Sequence, residues 1–326
     1  MKKRLFIMLI GCLVIMTGCG NKATSGNNDQ IVIYSNGDEE AIQAMETSLN
    51  NAGYEGQYVI QSLGTSELGG KLMAEGSEIE ADLVTMSSYF LESAQKKNEM
   101  FKPLEFKTNA INKYPDFYTP VLAITGSIFF NTEMMKQEGL EVPKSIKDLA
   151  KPEYQGLISI PNIIDSSTGW LMVQAIISEY GEEEGKKVME GIIKNAGPHL
   201  ESSGSGSIKK VQAGEVAVGF GLRHQAVEVK NSGAPIDFVD PVEGNFSITE
   251  SLVVIDKEKE KSELAMEMAE VITTNAREEL IKYYPVPLYE GEKVSEENKA
   301  TNNKVFEEPL TIELLEKHQA FFNSAK

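Results

Sequence analysis

One stretch near the middle of the chain constrains the fold more than any other, because it separates two patterns of alternating strands and helices. In the run Val121–Asn131, the residues before the polar Asn131 are apolar except at the centre, where Thr, Gly and Ser follow one another at 125–127. Glycine permits backbone torsions closed to other residues. The run therefore suits a strand that crosses between two bodies, although a buried strand with an ordinary bend is the alternative. Asn131 and Thr132 offer capping oxygens, which predicts that a helix begins there.

The N-terminal segment has the pattern of a secretory signal. Basic residues precede the apolar run Leu5–Met16, a layout typical of signal peptides and too short to span a bilayer. The letters MTGC resemble a bacterial lipobox that ends at Cys19, whereas the earlier LIGC at Cys12 leaves a shorter apolar core. We predict a signal peptide over 1–18 and a lipid-anchored flexible tether over 19–30. No thiol then remains for a disulfide or for catalysis, because the chain has 2 cysteines.

Charge and length exclude some functions and favour two lobes. The formal net charge is −18 and becomes more negative when the basic signal is removed. Such acidity argues against nucleic acid, whose phosphates require Lys and Arg. An anionic ligand would have to be held by a local cluster of donors, because the overall field opposes it.

A chain of 326 residues exceeds the size at which one core keeps growing. We expect one lobe from 31–124 with 245–326, and another from 127–241.

Three predicted strands of the first lobe are each followed by hydroxyl or amide side chains. The predicted strands are Ile31–Tyr34, Tyr58–Gln61 and Ala81–Thr85. In open α/β sheets, ligands collect beyond the carboxyl ends of the strands. The coincidence of three such ends predicts a binding edge, and its candidate ligand-binding residues are Ser35, Asn36, Thr65, Ser66 and Ser87.

The second lobe offers a helix start that suits an anion. Ser166, Ser167 and Thr168 open a predicted helix, and the N-terminal end of a helix favours negative charge. One hydroxyl is enough for capping, so three leave a surplus for a ligand. The loop His199–Ser207 is also rich in serine and lies between helices, too deep inside a lobe for a linker. A predicted strand, Val216–Phe220, leads towards Arg223 and His224.

The order of these segments resembles the solute-binding lipoproteins of ABC importers. The similarity falls in the cluster of ferric-ion, phosphonate and sugar-phosphate binders, nearest in pattern to 2-aminoethylphosphonate binders. Besides the lipobox, it is carried by IVIYSNGDEEAI, LGTSELGGKL, ADLVTMSS, ITGSIFFNTEMM, PKSIKDLAKPEYQGLISIP, SSTG, GEVAVGFGL, DPVEGN and YYPVP. The resemblance implies an α/β, two-lobe periplasmic-binding-protein-like (type 2) fold with hinge crossings and an interlobe ligand cleft. It also implies delivery of the ligand to an ABC permease.

One departure from the family narrows the ligand. Ferric binders of this cluster carry two adjacent tyrosines where this chain has Arg223 and His224. A guanidinium repels a metal cation and suits a phosphate or phosphonate. We therefore expect Arg223 to supply the charge and His224 to be a further donor. Arg223 could instead pair with Glu228 or Asp237.

An ammonium group on the ligand, as in 2-aminoethylphosphonate, would need an acid in the cleft. The candidates, which the sequence does not rank, are Asp38, Glu67, Asp165 and Glu250.

The predicted function is that of an extracytoplasmic solute-binding lipoprotein, held on the membrane by its lipid anchor, that captures a small phosphonate or organophosphate. We expect a monomer with no cofactor, no metal site and no catalytic activity. One alternative is a binder of ferric iron or another metal chelate, using Tyr283 and Tyr284 with carboxylates. A phosphate-ester hydrolase is a further alternative, although the chain has no GxSxG motif of the kind that presents a serine nucleophile.

Overall fold

The computed structural model describes residues 30–257, 259–294 and 298–326. The predicted signal peptide, Cys19 and nearly all of the predicted tether lie outside these ranges. Within them, no helix is both long enough and apolar enough to cross a membrane.

Strands and helices alternate along most of the chain. The strands are β1 (Ile31–Ser35), β2 (Tyr58–Ser62), β3 (Leu83–Ser87), β4 (Tyr118–Asn131), β5 (Ile158–Pro161), β6 (Leu200–Glu201), β7 (Val218–Leu222), β8 (Ile236–Val239), β9 (Asn245–Val254) and β10 (Asn303–Lys304). The helices are α1 (Glu39–Asn51), α2 (Thr65–Glu75), α3 (Ser88–Asn98), α4 (Thr132–Glu138), α5 (Ser167–Ala196), α6 (Gly206–Ala213), α7 (Arg223–Asn231), α8 (Lys259–Val271), α9 (Arg277–Tyr283) and α10 (Ile312–Ser324). The predicted α/β fold class is confirmed.

The sheet has the order β2-β1-β3-β9-β4-β7-β5-β6, with β10 paired to β9 and β8 paired to β4. β1 is parallel to both β2 and β3, so their carboxyl ends share one edge. β9 is antiparallel to both β3 and β4. The strands of the first part of the chain and those of the middle part therefore meet only through β9 and β4 along this path.

The long strand β4 joins the two groups of strands, as its sequence predicts. Its first part, up to Thr125, pairs with β9, and from Gly126 onward it pairs with β7. A Cβ at Gly126 would lie 2.7 Å from the ring of Phe220. The small residue is required because β7 packs closely at the point where the partner changes. Asn131 ends the strand and accepts hydrogen bonds from the first amides of α4, each at 3.1 Å.

The C-terminal helix α10 packs against α5 and also contacts α3. Trp170 of α5 is fully buried, and its indole Nε1 donates to His318 Nδ1 at 2.7 Å. The ring of Tyr89, on α3, meets Trp170 edge-on at 4.9 Å. The segment 245–326 was predicted to belong to the first lobe. Through α10 it also contacts α5, the helix of the predicted second lobe that begins at the hydroxyl-rich turn.

His318 should make the stability of the protein depend on pH. Burial lowers the pKa of His318 from 6.5 to about 4, so the fold favours the neutral ring that accepts from Trp170. The unfolded chain takes up the proton first as the pH falls, and stability is therefore lost from about pH 6.5 down to about pH 4. The stability advantage of the wild type over His318→Phe should shrink across this range. Urea unfolding followed by fluorescence of Trp170, the 1 tryptophan of the chain, measures it; an advantage independent of pH would contradict the assignment.

Candidate ligand-binding cleft

A cleft of about 500 Å³ lies at the carboxyl ends of β1 and β2 and faces the starts of α5 and α6. We call residues 36–38, 62–67 and Glu250 the first wall, and residues 165–168 with 202–205 the second wall. Leu122, Ile124, Leu222 and Tyr284 complete the lining. Apart from Glu250, which lies within β9, both walls are therefore built from strand ends, helix starts and the turns beside them.

Most of the predicted site residues do line this cleft. They are Asn36, Thr65, Ser66, Ser166, Ser167 and Thr168, together with the candidate acids Asp38, Glu67, Asp165 and Glu250. Ser35, Ser87, Arg223 and His224 do not belong to the lining.

Ser35 and Ser87 are fully buried behind the first wall. The Ser35 hydroxyl accepts from the Gly37 amide at 3.0 Å and from Thr85 Oγ1 at 2.8 Å. The Ser87 hydroxyl donates to Glu250 Oε1 at 2.9 Å. These two serines were predicted to contact ligand, and instead they fix the turn and the acid that do line the cleft.

Arg223, predicted to supply positive charge to the ligand, does not line the cleft in this structure. Its side chain is 4% exposed and forms an ion pair with Asp240, with Nε 2.8 Å from Oδ1. The other guanidinium nitrogens donate to the carbonyls of Asn298 and Lys299 at 2.6 and 3.0 Å. Its partner is thus neither Glu228 nor Asp237. The donors of the guanidinium are engaged within the protein, so it ties the C-terminal segment to α7.

His224 lies behind Asp38 rather than in the cleft. Its Nε2 is 3.4 Å from Asp38 Oδ2, and its ring packs on Tyr284 with centroids 4.3 Å apart. The Tyr284 hydroxyl donates to Asp38 Oδ1. Burial alone would raise the pKa of Asp38, but its contacts with His224 and Tyr284 hold that pKa below the usual value. Asp38 is therefore an ionised carboxylate whose oxygens already have partners.

The second wall presents helix N-termini and hydroxyls to the cleft. At the start of α5, the Ser166 hydroxyl accepts from the Thr168 amide at 3.3 Å. The N-cap of α6, Ser205, makes no side-chain capping bond, and neither does Gly64 at the start of α2 on the first wall. Uncapped helix starts leave amide donors unsatisfied, and these donors favour an anion.

The two walls touch at one edge of the cleft. Ser66 Oγ, in the first turn of α2, donates to the carbonyl of Ile164 at 2.5 Å. Ile164 lies in the loop just before α5, so this hydrogen bond spans the cleft. Ser66 is thus engaged in holding the walls together in this conformation.

Glu250 is the most enclosed acid of the cleft. Its residue is 6% exposed, and Oε1 accepts from Ser87 Oγ at 2.9 Å and from Asn36 Nδ2 at 3.3 Å. Burial raises the pKa of Glu250 to about 7, the two hydrogen bonds act in the opposite direction, and the negative Asp38 adds to the rise. An acid in this state is held between its neutral and its ionised form near neutral pH.

The serines at 202, 203 and 205 line the second wall but were not among the predicted site residues. The sequence signal was present, because the predicted loop 199–207 is rich in hydroxyls. In the structure this range contains β6 and the start of α6, and residues 202–205 connect them. Gly204 permits a close approach there, since a Cβ would lie 2.3 Å from Thr168 Oγ1. The loop therefore packs directly on the first turn of α5.

The alternative chemistries find less support in these positions. Tyr283 lines a different groove, which is formed by residues of α1 and α9 and includes Glu40. Burial and nearby carboxylates keep the pKa of Tyr284 well above its usual value. Asp38, Glu40 and His224 do bring potential metal-ligand atoms within 4.8 Å of one another. Among the described residues, no hydrogen bond joins a histidine ring to a serine hydroxyl, as a hydrolytic triad would require.

The comparisons with known proteins agree with this geometry. A family model described as bacterial extracellular solute-binding protein matches residues 79–308, and the chain belongs to that family. A relative from Haemophilus influenzae, described as an uncharacterized protein, is 30% identical over 115 residues. That match covers 35% of this chain and 33% of the relative, about a third of its length.

Solved structures with similar folds are periplasmic binding proteins. The periplasmic binding protein P5PA gives a TM-score of 0.73 at 17% identity, over 90% of this chain and 98% of that chain. AfuA from Actinobacillus pleuropneumoniae, with fructose-6-phosphate bound, gives 0.68 at 19% identity, over 90% and 97%. Iron-bound HitA from Pseudomonas aeruginosa gives 0.71 at 17% identity, over 91% and 99%. The predicted two-lobe type 2 fold is confirmed by these likenesses.

Proposed function

We propose that this protein is the solute-binding lipoprotein of an ABC importer and that it captures a small phosphonate or organophosphate, 2-aminoethylphosphonate-like, in the cleft. The observation that carries the proposal is the second wall. It gathers the hydroxyls of residues 166–168 and of the serines at 202, 203 and 205 around the starts of two helices. Tetrahedral oxyanions accept several hydrogen bonds, and helix starts with hydroxyls are a common way to supply them.

Because Arg223 does not line the cleft, the anion would be bound by other donors, although in the same cleft. The described residues that line the cleft include no lysine, arginine or histidine. Neutral donors would therefore surround the oxyanion, each contributing a charge-assisted hydrogen bond. Fructose-6-phosphate bound to AfuA shows that a protein of this fold accommodates an organophosphate.

The cellular setting is part of the same proposal. Cleavage before Cys19 and lipid attachment there would anchor the protein on the extracytoplasmic face of the membrane. From that position a monomer would deliver its solute, chemically unchanged, to an ABC permease. Labelling with radioactive palmitate, lost in Cys19→Ala and retained in Cys12→Ala, tests the anchor.

Calorimetry on the purified mature protein tests the choice of ligand. We expect saturable binding of 2-aminoethylphosphonate, with phosphate, hexose phosphates and thiamine phosphates as competitors of known chemistry. If none of these ligands binds, the proposed ligand class is contradicted, while the family assignment is unaffected.

Gly204→Ala should weaken binding of the phosphonate about tenfold or more, which corresponds to about 1.4 kcal/mol. The added methyl would clash with Thr168, push the serine loop away from α5 and separate the donors of the second wall. Gly70→Ala is the matched control, because a Cβ on this exposed face of α2 meets nothing within 4 Å. Calorimetry of both variants measures the difference, and equal affinities would show that the serine loop does not hold the ligand.

A metal chelate is the second candidate, favoured only by the cluster of Asp38, Glu40 and His224. The Tyr284 hydroxyl donates to Asp38, so Tyr284 would supply a phenolate ligand to ferric iron at this cluster. Addition of ferric citrate should then produce a visible phenolate-to-iron charge-transfer band that Tyr284→Phe abolishes. Absence of the band would remove a ferric site that uses Tyr284.

A further inference from the structure

The inner end of the cleft offers hydrogen-bond acceptors rather than donors. Glu250 lies on β9 at the base of the first wall, and both donors that reach it, Ser87 and Asn36, bind the same oxygen, Oε1. Because Glu250 lines the cleft and is 6% exposed, its second oxygen is the natural contact for a ligand group. That group must donate if the carboxylate is ionised.

Asn36 adds a second acceptor at the same place. Its Nδ2 donates to Thr65 Oγ1 at 3.1 Å and to Glu250 Oε1 at 3.3 Å, which fixes the orientation of the amide. Its Oδ1 is buried and has no hydrogen-bond partner. Buried acceptors are normally paired, and an unpaired one in a native protein calls for an explanation such as a ligand.

The charges that line the cleft are all negative. Asp38, Glu67, Asp165 and Glu250 contribute carboxylates, and the described lining residues contribute no cationic side chain. Asp38 has His224 Nε2 3.4 Å away and accepts from the Tyr284 hydroxyl. No cationic side chain lies within salt-bridge distance of Glu250 among the described residues. An anion alone would enter against this field, whereas a solute that brings its own positive group would not.

We propose that Glu250 is the specificity-determining residue that receives a cationic group of the solute, so that the solute is a zwitterion with an amine on one side and an oxyanion on the other. This inference rests on the proposed function, because the oxyanion is assigned to the second wall there. It ranks the four acids that the sequence left equal. The ammonium meets Glu250 and the free Asn36 Oδ1, while the hydroxyls and helix starts hold the oxyanion.

If an ammonium group of the solute lies beside Glu250, binding should change the protonation of Glu250 in a definite direction. Burial keeps Glu250 partly protonated near neutral pH, and an ammonium beside it favours the ionised carboxylate. Binding of the zwitterion therefore releases protons from Glu250 to the solvent. An oxyanion placed against Glu250 would have the opposite effect and take protons up.

Calorimetry at pH 7 in buffers of different ionisation enthalpy measures the protons exchanged. With 2-aminoethylphosphonate, the wild type should release more protons per site than Glu250→Gln. Protons exchanged by the phosphonate itself, which also titrates near neutral pH, are common to both proteins, so the difference is the contribution of Glu250. Glu250→Gln should also bind 2-aminoethylphosphonate about tenfold or more weakly (~1.4 kcal/mol), while its affinity for ethylphosphonate, which lacks the amine, stays the same or rises. Fluorescence of the buried Trp170 confirms that the variant is folded.

The possible results distinguish the role of Glu250 from the phosphonate-binding function. Tight binding of ethylphosphonate and 2-aminoethylphosphonate with equal affinity would overturn the role of Glu250 and leave the phosphonate proposal standing. So would a proton exchange that is the same in the wild type and in Glu250→Gln. An equal loss of both ligands in Glu250→Gln would also overturn it. Failure of the wild type to bind either phosphonate would overturn the proposed function itself, and this inference with it.

Discussion

Replacing Asp240 with alanine should lower the free energy of unfolding by about 3–5 kcal/mol, the range seen when one partner of a buried ion pair is removed. The side chains of Arg223 and Asp240 are 4% and 7% exposed, so the guanidinium would remain buried without its counterion. Urea unfolding followed by circular dichroism measures the loss.

Asp240 is more than the partner of Arg223, which is why the effect should be large. Besides the guanidinium, its carboxylate accepts from the Thr301 amide and hydroxyl, each at 2.9 Å, and from Asn245 Nδ2 at 3.1 Å. These contacts hold the C-terminal segment against the start of β9. Hydrogen bonding and the charge of Arg223 outweigh burial and lower the pKa of Asp240, so it stays ionised at neutral pH.

Asp237→Ala is the matched control, because it removes the same type of side chain three residues away. Asp237 pairs with Lys230 at 2.6 Å, but the two side chains are 40% and 46% exposed. Exposed ion pairs contribute about 0–1 kcal/mol. If the two variants lose the same stability, the Arg223–Asp240 pair is not the buried anchor described here.

Local sequence patterns were sufficient for most of the strands, although not for the short β6 and β10, and for one edge of the cleft. The period of apolar residues located β1, β2 and β3, and the parallel pairing of β1 with both neighbours then placed residues 36–38 and 62–67 at one edge. The crossing at Gly126 was also readable, because a small residue interrupts a long apolar strand. These features depend on a few neighbouring residues, which the sequence displays directly.

The role of Arg223 could not be predicted, because its partners are distant in sequence. Asp240 and the carbonyls of residues 298 and 299 reach the guanidinium only after β10 pairs with β9. A cationic residue just after a strand end looks the same in sequence whether it faces a ligand or a buried acid. Which of the two it faces depends on contacts between residues distant in sequence. In this protein those contacts pair the guanidinium with Asp240.

Burial of single residues was the other source of error. Ser35 and Asn36 are adjacent, yet the first is 0% exposed behind the wall and the second lines the cleft. Side chains alternate between the two faces of a strand, so one of the two must face away from the cleft. Which one does so depends on the turn that follows the strand. The Gly37 amide, which donates to Ser35 Oγ, makes that turn.

Glu250→Gln should stabilise the ligand-free protein at pH 8 by on the order of 1–3 kcal/mol, since each unit of pKa shift corresponds to about 1.4 kcal/mol. The pKa of Glu250 rises from 4.5 to about 7 in the fold, so the folded state keeps the proton longer than the unfolded chain. Stability is then fully present below about pH 4.5 and is lost as the pH rises to about 7. A glutamine retains an oxygen for Ser87 and Asn36 and carries no charge, so it avoids this loss.

Urea unfolding of the wild type and Glu250→Gln at pH 4 and pH 8 measures the effect as a difference, in which the titration of His318 and other shared groups cancels. The two proteins should be equally stable at pH 4 and diverge by pH 8. A variant that is less stable at pH 8 would mean that the carboxylate is already well solvated or paired. A gain in stability combined with weaker binding of the amine would mark Glu250 as a residue kept for its ligand, because a charge that costs stability in the empty cleft is neutralised when the solute's ammonium arrives.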